Sequence, residues 1–382
     1  MIALLIIVLI IYLAQDILFN RLLPRELVYS CAFTCGEAAE GDVVHLTEVI
    51  ENHKPIPVLW LMVDIHTSRF LDYGGAWSAL TQKGRRVTSL FSLRGRQKIT
   101  RRWDVVCRKR GVYSIDFVTF VWGGLLGNKT GSKAVNCNTS LVVYPAQVDL
   151  DNLFAPRNLT QGNLSVRRFL IDDPFVFSGV REYTQNDPMN RIHWGASART
   201  GALMVRQNDY TSEISVMVAL NIQSAEDELS DSFNEDESEF AIRVAASAAG
   251  RAVAGGAMCA FCSNAVTTDD DAAVSTAFGS GAAQMQNINE ILARLECKNR
   301  VNFTQYLEDL AKKCHDCDLV VVTAYLNRDM AAHCERLRAQ NNSVTVLLLD
   351  GRADTSGGAH GFTLFSIERE EGGDAQNPSA SA

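Results

Sequence analysis

The feature that most constrains the fold is a change in the spacing of apolar residues partway along the chain. From Glu26 to about Pro145, short β-prone runs, several of them alternating, are separated by turn residues. From Ser215 onward, uniformly apolar runs alternate with segments whose apolar residues recur at helical spacing. The first pattern predicts an antiparallel β-sandwich. The second predicts a doubly wound α/β domain with a largely parallel sheet.

The chain has 382 residues, 47% of them hydrophobic, which is enough to form two separate cores. We therefore predict a multidomain protein with a β-sandwich of immunoglobulin-like character over residues 26–147 and an α/β domain over residues 150–370. The tail over residues 371–382 lacks apolar periodicity and is expected to be disordered. The predicted strands are Val43–Val49, Val58–Val63, Val87–Phe91, Gly111–Phe117, Leu141–Tyr144, Ser215–Asn221, Leu319–Thr323 and Val344–Leu349. The predicted helices are centred on Val244, Ile291, Leu307 and Cys334.

The N-terminus predicts a membrane anchor. Met1–Phe19 is almost entirely apolar and about long enough to cross a bilayer, with Asp16 near one interface. Arg21 and Arg25 follow this segment and no basic residue precedes it, which places the rest of the chain in the cytoplasm. The prediction is thus a single-pass protein of the cell membrane. A signal peptide and a buried core helix are the alternatives.

Charge and cysteine content narrow the functional classes. The formal net charge of −8 argues against a dedicated nucleic-acid-binding protein. The ten cysteines are scattered over a large chain, which favours reduced thiols over a disulfide framework. The spacing of Cys314 and Cys317 also suits zinc or redox chemistry, but no second ligand pair stands at a standard spacing. Buried structural thiols are the favoured interpretation.

The run Gly179–Leu203 concentrates ionisable and aromatic residues in a pattern that amphipathicity alone would not produce. Its motif residues are Arg181, Glu182, Tyr183, Asp187, Arg191, His193, Trp194, Ser197 and Arg199. Their order and spacing resemble the signature of the bacterial domain-of-unknown-function family fifty-eight, although Asn186 stands where glycine is common. The resemblance implies a C-terminal von Willebrand factor A-like domain. It also implies association with MoxR-type AAA+ ATPases, and hence a membrane-tethered adaptor.

Two interpretations of the signature are open. A catalytic one uses His193 as an acid or base oriented by Asp187 or Glu182, which would make the protein a hydrolase. A structural or partner-binding one pairs the three arginines with Glu182 and Asp187 and places Trp194 in a hydrophobic site, as a clamp on the α/β domain. We favour the second interpretation. The strand expected after Gly201 would then form a hairpin with Ser215–Asn221 and enter the sheet.

The resemblance to the von Willebrand A domain also bears on metal binding. Cation-binding members end their first strand in Asp-x-Ser-x-Ser, whereas the corresponding positions here are Asn221, Gln223 and Ala225. Amide oxygens are weaker ligands than carboxylates, so no metal and no cofactor is expected. The acidic residues between Glu226 and Glu239 match no calcium-loop pattern, and they are expected to form a solvated loop that could dock a partner.

These features together predict a membrane-anchored binding or assembly factor without catalysis of its own, with a MoxR-type ATPase as its partner. The alternatives are the hydrolase centred on His193 and Asp187, and a purely structural envelope component.

Overall fold

The structure is a computed structural model. It describes residues 26–74, 77–82, 84–123, 130–150, 154–155, 179–182, 194–207, 215–226, 234–270, 272–312, 314–353 and 361–367. The predicted anchor, Met1–Phe19, and the predicted tail over residues 371–382 lie outside these ranges. Within them, no helix has the length and apolar character needed to span a membrane. The chain divides into two compact units at Ala146/Gln147, apart from the short stretch Leu292–Arg294, which groups with the first unit.

The first unit consists of strands in two sheets. The strands are β1 (Leu27–Phe33), β2 (Glu37–Ala39), β3 (Val43–Asn52), β4 (Val58–Thr67), β5 (Leu71–Asp72), β6 (Ser78–Thr81), β7 (Gly84–Leu93), β8 (Lys98–Cys107), β9 (Gly111–Gly123) and β10 (Thr130–Tyr144). One sheet has the order β1-β3-β8-β5 and the other the order β2-β10-β9-β4-β7-β6. The pairings are antiparallel except that of β2 with β10.

Alternating burial along the strands explains how the two sheets form one core. In β3, every second residue from Val44 to Asn52 is buried and the residues between are partly exposed. A single apolar cluster joins Leu46 and Ile50 of this sheet to Val63 and Ile115 of the other. One face of each sheet therefore packs against the other sheet, and the side chains of these two faces form a shared core. The prediction of a β-rich first domain is confirmed.

The second unit is built on a seven-stranded sheet. Its elements are β11 (Phe154–Ala155), β12 (Gly179–Glu182), α1 (Trp194–Thr200), β13 (Met204–Gln207), β14 (Ser215–Leu220), α2 (Glu235–Ala254), β15 (Met258–Ser263), β16 (Ala265–Thr267), β17 (Val274–Ser275), α3 (Gly281–Arg294), β18 (Leu295–Asn299), α4 (Phe303–Ala311), β19 (Asp318–Leu326), α5 (Arg328–Ala339), β20 (Ser343–Ala353) and β21 (Thr363–Ile367). The order of the large sheet is β11-β21-β20-β19-β14-β15-β17.

The five inner strands of this sheet, β21 to β15, run parallel, and the two short edge strands are antiparallel to their neighbours. Parallel neighbours require crossover connections, which here contain the helices. After the edge strand β11, the chain enters the middle of the sheet at β14, extends to one side through β15 and β17, and then crosses to β19 on the other side of β14. The four predicted helices are present as α2 to α5. Leu295, predicted to be helical, instead begins β18.

The predicted hairpin between the strand after Gly201 and β14 is wrong. β13 pairs antiparallel with β12 in a separate two-stranded sheet, with Arg181 opposite Val205 and Glu182 opposite Met204. The edges of β14 are occupied by β15 and β19. A strand that is paired on both sides in a parallel sheet has no edge left for the strand that precedes it.

Candidate functional site

The carboxyl ends of β14, β15 and β19 lie next to one another in the large sheet. Asn221 directly follows β14, Asn264 directly follows β15, and Thr323 lies within β19. In open α/β sheets this edge is where ligands usually bind. Asn221 and Gln223, which were expected to stand in place of the ligands of a lost metal site, therefore lie at this edge of the sheet.

The side chains at this edge bond mainly to one another. The Asn221 amide nitrogen donates to the Thr323 hydroxyl at 3.0 Å. The Asn264 amide nitrogen donates to the side-chain oxygens of Gln223 at 3.1 Å and of Asn221 at 3.3 Å. The Thr323 hydroxyl in turn donates to the Tyr325 carbonyl at 2.7 Å. We call Asn221, Gln223, Asn264 and Thr323 the amide network, and all four residues are buried.

Backbone N–H groups also donate to the side-chain oxygens of the network. The Asn264 side-chain oxygen accepts from the Ile222 amide at 3.0 Å, and that of Asn221 accepts from the Gln223 amide at 3.1 Å. The Gln223 side-chain oxygen accepts from the Phe303 amide, at the start of α4, at 2.9 Å. A cation at this edge would have to displace N–H donors from each of these oxygens. The arrangement is therefore that of a buried structural cross-link between three strands and a helix.

The acidic segment after this edge is partly helical. Glu235, Asp236 and Glu237 form the first turn of α2, where negative charge interacts favourably with the helix dipole. Glu239 is buried in the next turn, and its carboxylate accepts from the Cys297 thiol at 3.8 Å. The expectation of one solvated acidic loop is thus wrong for this half of the segment. Residues 227–233 lie outside the described part of the chain.

Two parts of the signature run are described, and they flank its centre. Arg181 and Glu182 lie in β12, and Trp194, Ser197 and Arg199 lie in α1. Tyr183, Asp187, Arg191 and His193 lie outside the described residues. Both the arginine–carboxylate clamp and the alternative pair of His193 with Asp187 include such residues, so each stays a prediction.

The Ser197 hydroxyl connects helix α1 to β13. The Ser197 hydroxyl accepts from the Met204 amide at 2.8 Å and lies 3.4 Å from the Met204 carbonyl oxygen. The helix ends at Thr200. The amide of the next residue, Gly201, donates to the Ser197 carbonyl at 3.0 Å, and its φ of 73° falls in the left-handed region that favours glycine. This short segment therefore has a defined backbone connection to the β12–β13 pair.

Trp194 does not fill a hydrophobic site, contrary to the structural interpretation of the signature. Its side chain is 69% exposed, and Arg199 and Leu203 are also exposed. A seven-residue helix attached through Ser197 buries little surface of its own. The indole is thus presented to solvent at the first position of α1.

A buried carboxylate in the first unit was missed by sequence reasoning. Glu48 is fully buried and accepts hydrogen bonds from the Tyr29 hydroxyl at 2.9 Å, the Ser89 hydroxyl at 2.7 Å and the Trp103 indole N–H at 2.6 Å. Burial, followed by the negative charge of Glu48, raises the pKa of Tyr29 far above its usual range, which keeps its hydroxyl available as a donor. The signal was present in the sequence, since Glu48 stands two positions from both Leu46 and Ile50 on the inward face of an alternating strand.

Comparison with protein families gives one match, to the model described as "Protein of unknown function DUF58", over residues 179–358. The match begins at the first residue of the signature run and supports the resemblance that was drawn from it. The description assigns no activity. No curated protein matches the chain.

Solved structures show only a distant likeness to the chain. The CARDB domain of the PF1109 protein from Pyrococcus furiosus, described in complex with di-metal ions, is 10% identical and covers 31% of this chain and 91% of its own, with a TM-score of 0.21. A non-cellulosomal cohesin from Archaeoglobus fulgidus is 11% identical and covers 30% of this chain and 90% of its own, with a TM-score of 0.21. The bacterial hydrophobin BslA is 12% identical and covers 32% and 97%, also with a TM-score of 0.21. Scores this low carry no argument about fold or function.

Proposed function

We propose that this protein is a membrane-anchored binding or assembly factor that docks a partner protein through its signature segment. The partner we propose is a MoxR-type AAA+ ATPase, and the protein needs no catalysis of its own for this role. The observation that carries the proposal is the exposure of Trp194 on a helix that is held in place by Ser197.

A single exposed apolar side chain is common on protein surfaces and has no functional meaning by itself. Trp194 differs from an isolated exposed residue in two ways. Its helix is connected to β13 by the hydrogen bond between Ser197 and Met204, and an exposed arginine, Arg199, lies in the same helix. Tryptophan and arginine are the residues most enriched among those that dominate binding energy at interfaces. A held helix also loses little conformational freedom on binding, which favours affinity.

We further infer that the second unit is a von Willebrand A-like domain. Support comes from the central position of β14, the crossover from β15 to β19 and the antiparallel edge strand β17. In such a domain the amide network would occupy the position at which cation-binding members hold their metal ion. Partner binding would then be independent of a bridging metal ion, and the exposed signature helix is the better candidate for the contact.

The anchoring role rests on the sequence of Met1–Phe19, whose apolar length suits a bilayer. With Arg21 and Arg25 on the cytoplasmic side, both units would face the compartment in which a MoxR-type ATPase acts.

The test is a binding measurement between the full chain in detergent micelles and the MoxR-type ATPase of the same organism. Trp194→Ala should weaken binding by at least about tenfold, because loss of an interface tryptophan costs about 2 kcal/mol or more. Ser197→Ala should weaken binding by a smaller factor, since it removes the bond that holds α1 to β13. Thermal melting of Trp194→Ala should match that of the unmodified protein, because the side chain is exposed.

The matched control is Trp77→Ala. Trp77 is 63% exposed but lies in the first unit, outside the signature run, so this change should leave the affinity as it is. Equal affinities for both tryptophan variants and the unmodified protein would refute docking through α1. Absence of any binding to the ATPase would refute the proposed partner.

A further inference from the structure

Two buried thiols face each other where the chain leaves α4 and enters β19. The Sγ atoms of Cys314 and Cys317 are 2.8 Å apart. The two residues are only 3% and 6% exposed, and they belong to the apolar core that includes Leu310 of α4 and Leu337 of α5.

The distance between these sulfur atoms shows whether the pair is suited to binding zinc or to forming a disulfide. Two thiolates that share a tetrahedral zinc ion lie about 3.8 Å apart, given Zn–S bonds of about 2.3 Å. The observed 2.8 Å is too short for an ion between the two atoms. It is less than 1 Å longer than a disulfide bond of about 2.05 Å. In addition, the described residues contain no cluster of three or more His, Cys, Asp or Glu side chains that could hold a metal ion.

Asn342 holds the backbone on both sides of the pair. Its side-chain nitrogen donates to the carbonyls of Cys314 at 3.2 Å and Leu337 at 2.9 Å. Its side-chain oxygen accepts from the Cys317 amide at 3.1 Å. Between the two cysteines, Asp316 adopts a φ of 55°, which turns the chain so that both sulfur atoms point into the same space.

We propose that Cys314 and Cys317 are a modification site, at which a reversible intramolecular disulfide forms by exchange with a low-molecular-weight disulfide such as oxidised glutathione. The proposal is independent of the binding function proposed above.

The chemistry requires one thiol to act as the nucleophile. The hydrogen bond from Cys317 lowers the pKa of Cys314, and the same bond, together with burial, raises the pKa of Cys317. Because both sulfur atoms are buried, the exchange takes place when the segment between α4 and β19 opens locally. The Cys314 thiolate then attacks one sulfur of the small disulfide, forms a mixed disulfide and releases one thiolate. Cys317 then loses its proton and attacks the Cys314 sulfur, which forms the internal S–S bond and expels the second thiolate. Two protein thiols are oxidised and one small disulfide is reduced to two thiols.

A second pair of cysteines with the same sequence spacing, Cys259 and Cys262, provides an internal control. Cys259 and Cys262 are also separated by two residues, but they lie in the extended strand β15, where positions three apart point to opposite faces. Cys262 and Cys334 are buried in the same apolar core as the proposed pair. They provide thiols of similar burial that should stay reduced under the same treatment.

The experiment incubates the folded full chain with oxidised glutathione, blocks free thiols with an alkylating agent under denaturing conditions, and maps every cysteine by peptide mass. Circular dichroism before and after incubation verifies that the protein remains folded. We expect one peptide in which Cys314 and Cys317 escape alkylation and are two hydrogens lighter. Reduction before alkylation should restore both thiols, and Cys259, Cys262 and Cys334 should be alkylated throughout.

Several outcomes would overturn the assignment. Full alkylation of Cys314 and Cys317 after incubation would show that the pair does not oxidise, and a bond from either residue to Cys262 would show that the pairing is wrong. Zinc that stays with the folded protein through dialysis and is lost in both Cys314→Ser and Cys317→Ser would identify a metal site instead. Because the decisive mapping uses the unmodified protein, poor folding of a serine variant leaves the proposal testable.

Discussion

Replacement of Glu48 tests whether the buried carboxylate stabilises the first unit. Glu48→Ala removes the acceptor for the Tyr29 hydroxyl, the Ser89 hydroxyl and the Trp103 indole N–H. These donors come from strands of both sheets, and Glu48 is fully buried. The substitution therefore leaves three donors in the core without the partner they have in the native protein.

The magnitude follows from the cost of an unsatisfied buried donor, which is about 1 to 3 kcal/mol per group. Three donors at the lower end of this range give a loss of about 3 kcal/mol. The opposing effect is that the alanine variant no longer desolvates a carboxylate, which itself costs several kcal/mol in a low-dielectric interior. We expect the hydrogen bonds to dominate, because both carboxylate oxygens are engaged and each donor is 2.9 Å or less from its acceptor.

The assay is urea unfolding of the full chain followed by tryptophan fluorescence. With slopes of about 1 to 3 kcal/mol per molar urea, a loss of 3 kcal/mol lowers the midpoint by about 1 to 3 M. Glu48→Gln should fall between alanine and the unmodified protein, since its single carbonyl oxygen can serve only some of the donors. The matched control is Glu51→Ala in the same strand, a partly exposed residue paired with Lys98 at 2.7 Å, which should barely move the midpoint. If Glu48→Ala raised the midpoint instead, the desolvation cost would exceed the hydrogen bonds and the reasoning would fail.

Three further predictions concern other parts of the chain. Burial raises the pKa of Cys334 from its ordinary value of 9.0 to about 12. The stability that this thiol contributes is therefore present below the ordinary pKa and is lost as the pH rises toward 12. Cys334→Ala should reduce the loss of stability between pH 8 and 10 by about 1.4 kcal/mol, as measured by urea unfolding at each pH, and an unchanged loss would contradict this. Asn221→Asp should destabilise the second unit by about 1 to 3 kcal/mol, because the Thr323 hydroxyl proton is already donated to Tyr325 and an added carboxylate would face the lone pair of that hydroxyl. Calorimetry of the unmodified protein should show no site-specific Mg²⁺ or Ca²⁺ binding. Micromolar binding that depends on Asn221 would refute the conclusion that the amide network takes the place of a cation site. Deletion of Met1–Phe19 should release a soluble protein with native circular dichroism, whereas aggregation with loss of that signal would assign the segment to the fold.

The sequence alone predicted the type and approximate place of four of the five helices in the described residues, and of fewer than half of the strands there. The alternation in β3 and the helical spacing of apolar residues in α2 were both interpreted correctly, and so was the change from antiparallel strands to strands that alternate with helices. These features were predictable because the period of apolar residues reports which side of an element faces the core. That information is carried by residues close together in the chain. The signature run was also visible as a local pattern, and its resemblance to a family is supported by the match over residues 179–358.

Only the tertiary structure determined which distant residues meet. The donors to Glu48 come from positions 19 to 55 residues away, and Asn221 bonds to a threonine 102 residues later. The same holds for the pairing of β13 with β12 and for the exposure of Trp194, which the sequence had suggested to be buried. Hydrogen-bond partners and exposure depend on what the rest of the chain brings to a site, and local periodicity contains no record of those neighbours.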